Sequence, residues 1–133
     1  MNLSDSSKTK KRIILVDDDK YAVETLSKLL SEDGYKVDVC FNGKEAMKKM
    51  EFNRYDVIIT DLRMPEIGGL ELLKNVKKIY PELPVIVITA FGEVDSYLDA
   101  FVKGAYEYIN KPIKYEELIR LLEAIFKNKK GRE

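Results

Sequence analysis

The run Tyr55-Asp-Val-Ile-Ile-Thr-Asp61-Leu-Arg-Met-Pro65 carries an apolar segment into a carboxylate. Val57-Ile58-Ile59 reads as a strand covered on both faces, because strands inside a parallel sheet lose the polar alternation of half-exposed ones. An ionised carboxylate is costly inside such a strand. Asp61 is therefore expected just past the strand's carboxyl end, where parallel sheets bind their ligands. The segment Ile13-Ile14-Leu15-Val16 followed by Asp17-Asp18-Asp19 has the same form. Two buried strands that release carboxylates at one end of a sheet predict a pocket for a hard cation, of which Mg2+ is the usual one.

Outward from these two segments, strand and helix signals alternate five times. Strands are predicted at residues 12–17, 36–41, 55–60, 84–89 and 105–110, and helices at about 20–33, 43–52, 68–80, 93–103 and 115–127. Apolar stripes at helical spacing mark the helices: Val23, Leu26 and Leu30 in the first, Leu70, Leu73 and Val76 in the third, Leu118, Leu121 and Ile125 in the last. Asn42 is placed to cap the start of the second helix, and Gly34 and Gly104 stand where helices end. Strict alternation predicts an α/β fold, a doubly wound (βα)5 unit with parallel strands and helices on both faces.

Strand chemistry separates centre from edge. The first, third and fourth strands are near-continuous apolar runs. The second alternates, with Tyr35, Val37, Val39 and Phe41 on one face and Lys36, Asp38 and Cys40 on the other. The fifth mixes Glu107 and Asn110 with apolar residues. With the second and fifth strands at the edges and right-handed crossovers, the simplest order is 2-1-3-4-5. Its switch point lies between strands one and three, which are the strands that end in the acids.

Length and composition suit one globular domain. At 133 residues the chain can bury a sizeable core, and its 23 cationic and 23 anionic side chains give no global field for nucleic acid or an acidic membrane. No apolar run approaches the roughly 18 residues of a membrane span, and residues 1–11 lack the apolar core of a signal peptide. A single cysteine forms no internal disulfide, and the absence of histidine removes histidine catalysis and the usual zinc sites. A cytoplasmic location, with no nucleic-acid or membrane contact by this chain, is the expectation. Residues 1–10 are expected to form a flexible tail, 11–127 the domain, and 128–133 a tail or the start of a linker.

Two further polar groups are expected at the same rim. Thr89 closes the fourth strand, and Lys111 follows the fifth. Carboxylates, a hydroxyl and an ammonium in one crevice suit phosphoryl transfer: a metal clamps non-bridging oxygens while lysine and hydroxyl hold the others. The nucleophile is then a carboxylate, and Asp61 is the central one. Each residue alone has an ordinary structural reading: a solvated helix start for Asp17-Asp18-Asp19, a turn residue for Asp61, a strand-end hydroxyl, a surface lysine. Their convergence on one rim favours the functional one.

The motifs Leu15-Val-Asp-Asp18, Asp61-Leu-Arg-Met-Pro65 with Gly69, Ile88-Thr-Ala90 and Lys111-Pro112 resemble those of receiver domains of bacterial two-component response regulators. The resemblance spans about residues 11 to 127 and extends to receivers of sigma-54 activator-type regulators and single-domain phosphorelay carriers. The 2-1-3-4-5, flavodoxin-like order is the family's own and adds no independent support. The resemblance implies that Asp61 accepts a phosphoryl group from a histidine kinase or histidine phosphotransfer protein. It implies Mg2+ bound directly by Asp18 and Asp61, through water by Asp17, and by the backbone carbonyl of Arg63. Thr89 and Lys111 would bind phosphoryl oxygens, with a cis peptide at Lys111–Pro112.

Thr89 and Tyr108 are the implied switch residues. The implied output is a changed face of fourth helix, fifth strand and fifth helix, serving a partner, a homodimer or an attached output domain. Tyr108 is expected to rotate inward as Thr89 moves. Gly68, Arg63 and Phe91 stand at loop positions expected to influence the lifetime of the phosphorylated state. Related hydrolases with an aspartyl nucleophile usually carry a second acid two residues on. That position here is Arg63, which cannot act as a general acid. A regulatory phosphoacceptor, not an enzyme with turnover, is thus expected.

Overall fold

The computed structural model describes residues 11–61, 69–89 and 104–131. Five strands, β1 (Arg12–Val16), β2 (Lys36–Cys40), β3 (Val57–Asp61), β4 (Val85–Thr89) and β5 (Glu107–Asn110), form one parallel sheet in the order β2-β1-β3-β4-β5. The helices are α1 (Lys20–Glu32), α2 (Gly43–Phe52), α3 (Gly69–Ile79) and a last helix, Tyr115–Gly131. The predicted helix at 93–103 lies outside the described residues.

Alternation along the central strands divides the core into two layers. Ile14, Val16, Ile58, Val85 and Val87 pack with Ala46 and Met50 of α2 and Leu72, Leu73 and Val76 of α3. Ile13, Leu15, Val57, Ile59, Ile86 and Ile88 pack with Val23 and Leu30 of α1 and Leu118, Leu122 and Ile125 of the last helix. The expected stripes shift by a position in places. Leu122, not Leu121, is fully buried, and Leu72 joins Leu73 and Val76. A helix rotated slightly against the sheet buries the neighbour of the residue that the spacing selects. The last helix also continues past 127, to Gly131.

Local signals explain the boundaries. Asp19 caps α1 by accepting from the Ala22 amide at 3.1 Å. Asn42 accepts from Glu45 N at 2.8 Å while Glu45 Oε1 accepts from Phe41 N at 3.0 Å, a reciprocal cap that starts α2. Gly34, at φ 97°, lets the chain leave α1. Gly104, at φ 104°, also has Lys77 Cγ 3.2 Å from where a Cβ would stand.

On the edge strand β2 the face of Asp38 and Cys40 carries both a buried and a polar group. Cys40 is fully buried, beneath α2 with Ala46 and Met50, and that burial pushes its thiol up to about 12. On the same face Asp38 accepts from Tyr55 Oη at 2.6 Å and pairs with Arg12 at 3.3 Å. The strand expected from residue 55 begins instead at Val57, because Tyr55 and Asp56 serve as partners to other groups. Asp56 Oδ2 accepts from the Arg12 amide at 2.8 Å.

Candidate functional site

Asp61 is the last residue of β3, not the residue after it, and is aligned with Ile88 of β4. It is only 8% exposed. The strand tolerates this carboxylate because Lys111 Nζ donates to its Oδ2 at 2.9 Å, a partner that reduces the cost of burying the charge. The same ammonium lies 3.5 Å from Asp17 Oδ2. Lys111 is brought here by the end of β5, where its amide donates to the Thr89 carbonyl at 2.7 Å. The peptide that follows, Lys111–Pro112, is cis.

Asp17 follows β1, and its amide donates to the Cys40 carbonyl at 3.1 Å, which continues the sheet by one bond. Its Oδ1 accepts from the Asp19 amide at 2.9 Å. Asp18 stands between them, exposed. A carboxylate oxygen from each of Asp17, Asp18 and Asp61 lies within 4.8 Å of the others. Among the described residues three carboxylates face one ammonium there, an imbalance that a divalent cation would offset, and an all-oxygen donor set suits Mg2+. Arg63, whose carbonyl was expected to complete the set, lies outside the described residues, as do Gly68 and Phe91.

The electrostatics agree with that imbalance. Burial raises Asp17 to about 6 against the help of the Asp19 amide, and the neighbouring Asp61 adds to the rise while Lys111 opposes it. For Lys111, burial disfavours the charge, but the hydrogen bond and charge of Asp61 and the charge of Asp17 outweigh it, so its pKa is raised.

Thr89 ends β4 fully buried, and among the described residues its hydroxyl has no hydrogen-bond partner. Such a group costs free energy until an acceptor arrives. Tyr108 is already inward, 7% exposed in the layer that holds Val85 and Val87, whereas Tyr106 is 40% exposed. Beside the carboxylates opens a cleft of about 470 Å³, walled by Ala22, Val23 and Leu26 of α1 and by Pro112 and Ile113. Helical spacing marked Val23 and Leu26 only as core residues; the cleft arises from where α1 lies against the 111–113 turn.

A family model described as "Response regulator receiver domain" matches residues 13–123. The chain belongs to that family. This receiver is 37% identical over 114 residues to the transcriptional regulatory protein ZraR of Klebsiella oxytoca, covering 85% of this chain and 26% of that protein. It is 34% identical over 119 residues to the response regulator MprA of Mycobacterium ulcerans, covering 90% and 51%. It thus spans about a quarter to a half of the length of these relatives. Among solved structures, a receiver domain protein from Clostridium thermocellum superimposes with a TM-score of 0.86 at 30% identity, covering 92% of this chain and 99% of that one. TrrA from Thermotoga maritima, solved in complex with Mg(2+)-BeF, superimposes with a TM-score of 0.79 at 36% identity, covering 86% and 98%. Receiver domains are regulatory phosphoacceptors of two-component systems.

Proposed function

We propose that this receiver is a phosphorylation-controlled switch in which Asp61 accepts a phosphoryl group from a histidine kinase or histidine phosphotransfer protein. The observation that carries this reading is the three-carboxylate cluster with Lys111 on Asp61, at the rim where the sheet order reverses. Asp17, Asp18, Asp61 and the backbone carbonyl of Arg63 would hold Mg2+, which supplies charge neutralisation for an incoming dianionic phosphoryl group. An Asp61 carboxylate oxygen attacks phosphorus; the new O–P bond forms as the P–N bond to the donor's imidazole breaks, and that nitrogen keeps the electron pair. Lys111 and Thr89 bind non-bridging oxygens of the transferred group.

The response is a population shift. A phosphoryl group can move an equilibrium only through its different affinity for the two states. A Thr89 hydroxyl without a partner among the described residues favours the state in which an oxygen reaches it, and Tyr108 in its inward position is the side chain coupled to that state. β5, the last helix and residues 93–103, which lie outside the described residues, then change their affinity for a partner, a second copy or an attached output domain. Action in the cytoplasm, without membrane or nucleic-acid contact by this segment, belongs to the same proposal. Residues 11–127 would be the functional unit.

The test is labelling by acetyl phosphate with Mg2+. We expect one base-labile phosphate per chain in the wild type and none in Asp61→Asn. Labelling of that variant to the wild-type extent would overturn the assignment.

A further inference from the structure

At the end of the sheet away from Asp61, where β3 and β4 begin, a cleft of about 490 Å³ opens between residues 50–55 and 80–83. Met50, Tyr55, Tyr80 and Leu83 give it an apolar lining. Its two walls are held in place. The Tyr80 hydroxyl donates to the Met50 carbonyl at 3.0 Å, and Lys77 Nζ donates to the Pro81 carbonyl at 3.1 Å. Phe52, the last residue of α2, stands at the rim and is 77% exposed. Ile79, the last residue of α3, is 56% exposed. Large apolar side chains left in water beside a pre-formed apolar cleft mark a contact surface, and walls already fixed reduce the cost of binding there.

Charge decides the occupant. Arg54 is exposed on one wall and Glu82 on the other, and among the described residues neither has an ion pair. A partner surface of a single sign would be repelled by one wall. A second copy turned by a two-fold rotation offers the same two groups in reverse order, so Arg54 of each copy meets Glu82 of the other. The chain carries 23 cationic and 23 anionic side chains, so no net charge keeps copies apart. We propose that this surface is a self-complementary contact between two copies of the chain, in which Phe52 of each copy fills the cleft of the other.

The contact lies across the sheet from the phosphoacceptor and forms whether or not Asp61 is modified. Sedimentation equilibrium in EDTA, at loadings up to about 1 mM, should therefore show a monomer–dimer equilibrium. Phe52→Ser changes an exposed residue, so it should melt near wild type while raising the dissociation constant about tenfold or more. Arg54→Glu and Glu82→Arg should each weaken association, and the double variant, with both charges exchanged, should return it close to wild type. NMR signals of Phe52 and Ile79 should shift with protein concentration. Association that appears only with beryllofluoride and Mg2+ would belong to a different face and overturn the proposal. A monomeric wild type, an unaffected Phe52→Ser, or a double variant no better than its parents would overturn it as well, leaving the cleft to residues 1–10 or to a different protein.

Discussion

Lys111 Nζ sits 2.9 Å from Asp61 Oδ2 and, on its other side, 3.5 Å from Asp17 Oδ2, so one ammonium bridges the ends of β1 and β3 from beyond β5. Lys111→Met removes the bridge and takes from the three acids the one cation paired with them among the described residues. The Lys111 side chain is 35% exposed, so solvent softens the loss. We expect about 1–2 kcal/mol of destabilisation in EDTA, measured by urea unfolding, with most of it recovered in Mg2+. Labelling at Asp61 should still fall sharply, because the metal does not replace a ligand of the phosphoryl oxygens.

Mg2+ affinity should depend on pH through Asp17. Its folded pKa is raised to about 6 from 3.8, so between those values the folded chain holds a proton that the unfolded chain has released. In the metal-free protein this group's contribution to stability is therefore lost as pH rises from about 4 to about 6. Mg2+ needs the ionised form, and calorimetric titration should show affinity level above about pH 7 and weakening as pH falls through about 6. Affinity unchanged between pH 7.5 and 5 would contradict the arrangement.

Asp18 and Asp19 are adjacent but should fail in opposite ways. Asp19 caps α1, and Asp19→Ala should cost about 1 kcal/mol while leaving Mg2+ binding close to wild type. Asp18→Ala should leave stability nearly unchanged and weaken Mg2+ binding strongly. Equal losses of metal affinity in the two variants would remove Asp18 from the metal's ligands.

Thr89→Val replaces a buried hydroxyl that has no partner among the described residues by a methyl group of similar size. The metal-free protein should keep its stability or gain up to about 1–2 kcal/mol. Asp61 should remain reactive, but NMR shifts across residues 93–110 should no longer respond to beryllofluoride with Mg2+.

Two adjacent leucines of the last helix, Leu121 and Leu122, give a packing test. Leu122→Ala should cost about 2–5 kcal/mol and Leu121→Ala clearly less, since only Leu122 is fully buried.

The α/β class and the strand order were legible in the sequence, as was the meeting of Asp17, Asp18, Asp61 and Lys111 at one rim. They follow from local rules: apolar runs with acids at their ends, alternation of strand and helix, and polar residues marking the edges. Asn42 and Gly34 act within a few residues of themselves, so a linear reading finds them. What the sequence could not supply depended on groups brought together from afar. Asp61 lies inside β3 because an ammonium fifty residues on compensates it. Cys40 was legible as a packing residue of an edge strand, but that it is fully buried follows from α2 covering that face. Leu122 replaces Leu121 because the last helix takes its rotation from the sheet it meets. That the Thr89 hydroxyl has no partner among the described residues, and that Thr60 bonds to Asp61, also emerge only once the strands are in register, since hydrogen bonding is decided by geometry that residue types alone do not specify.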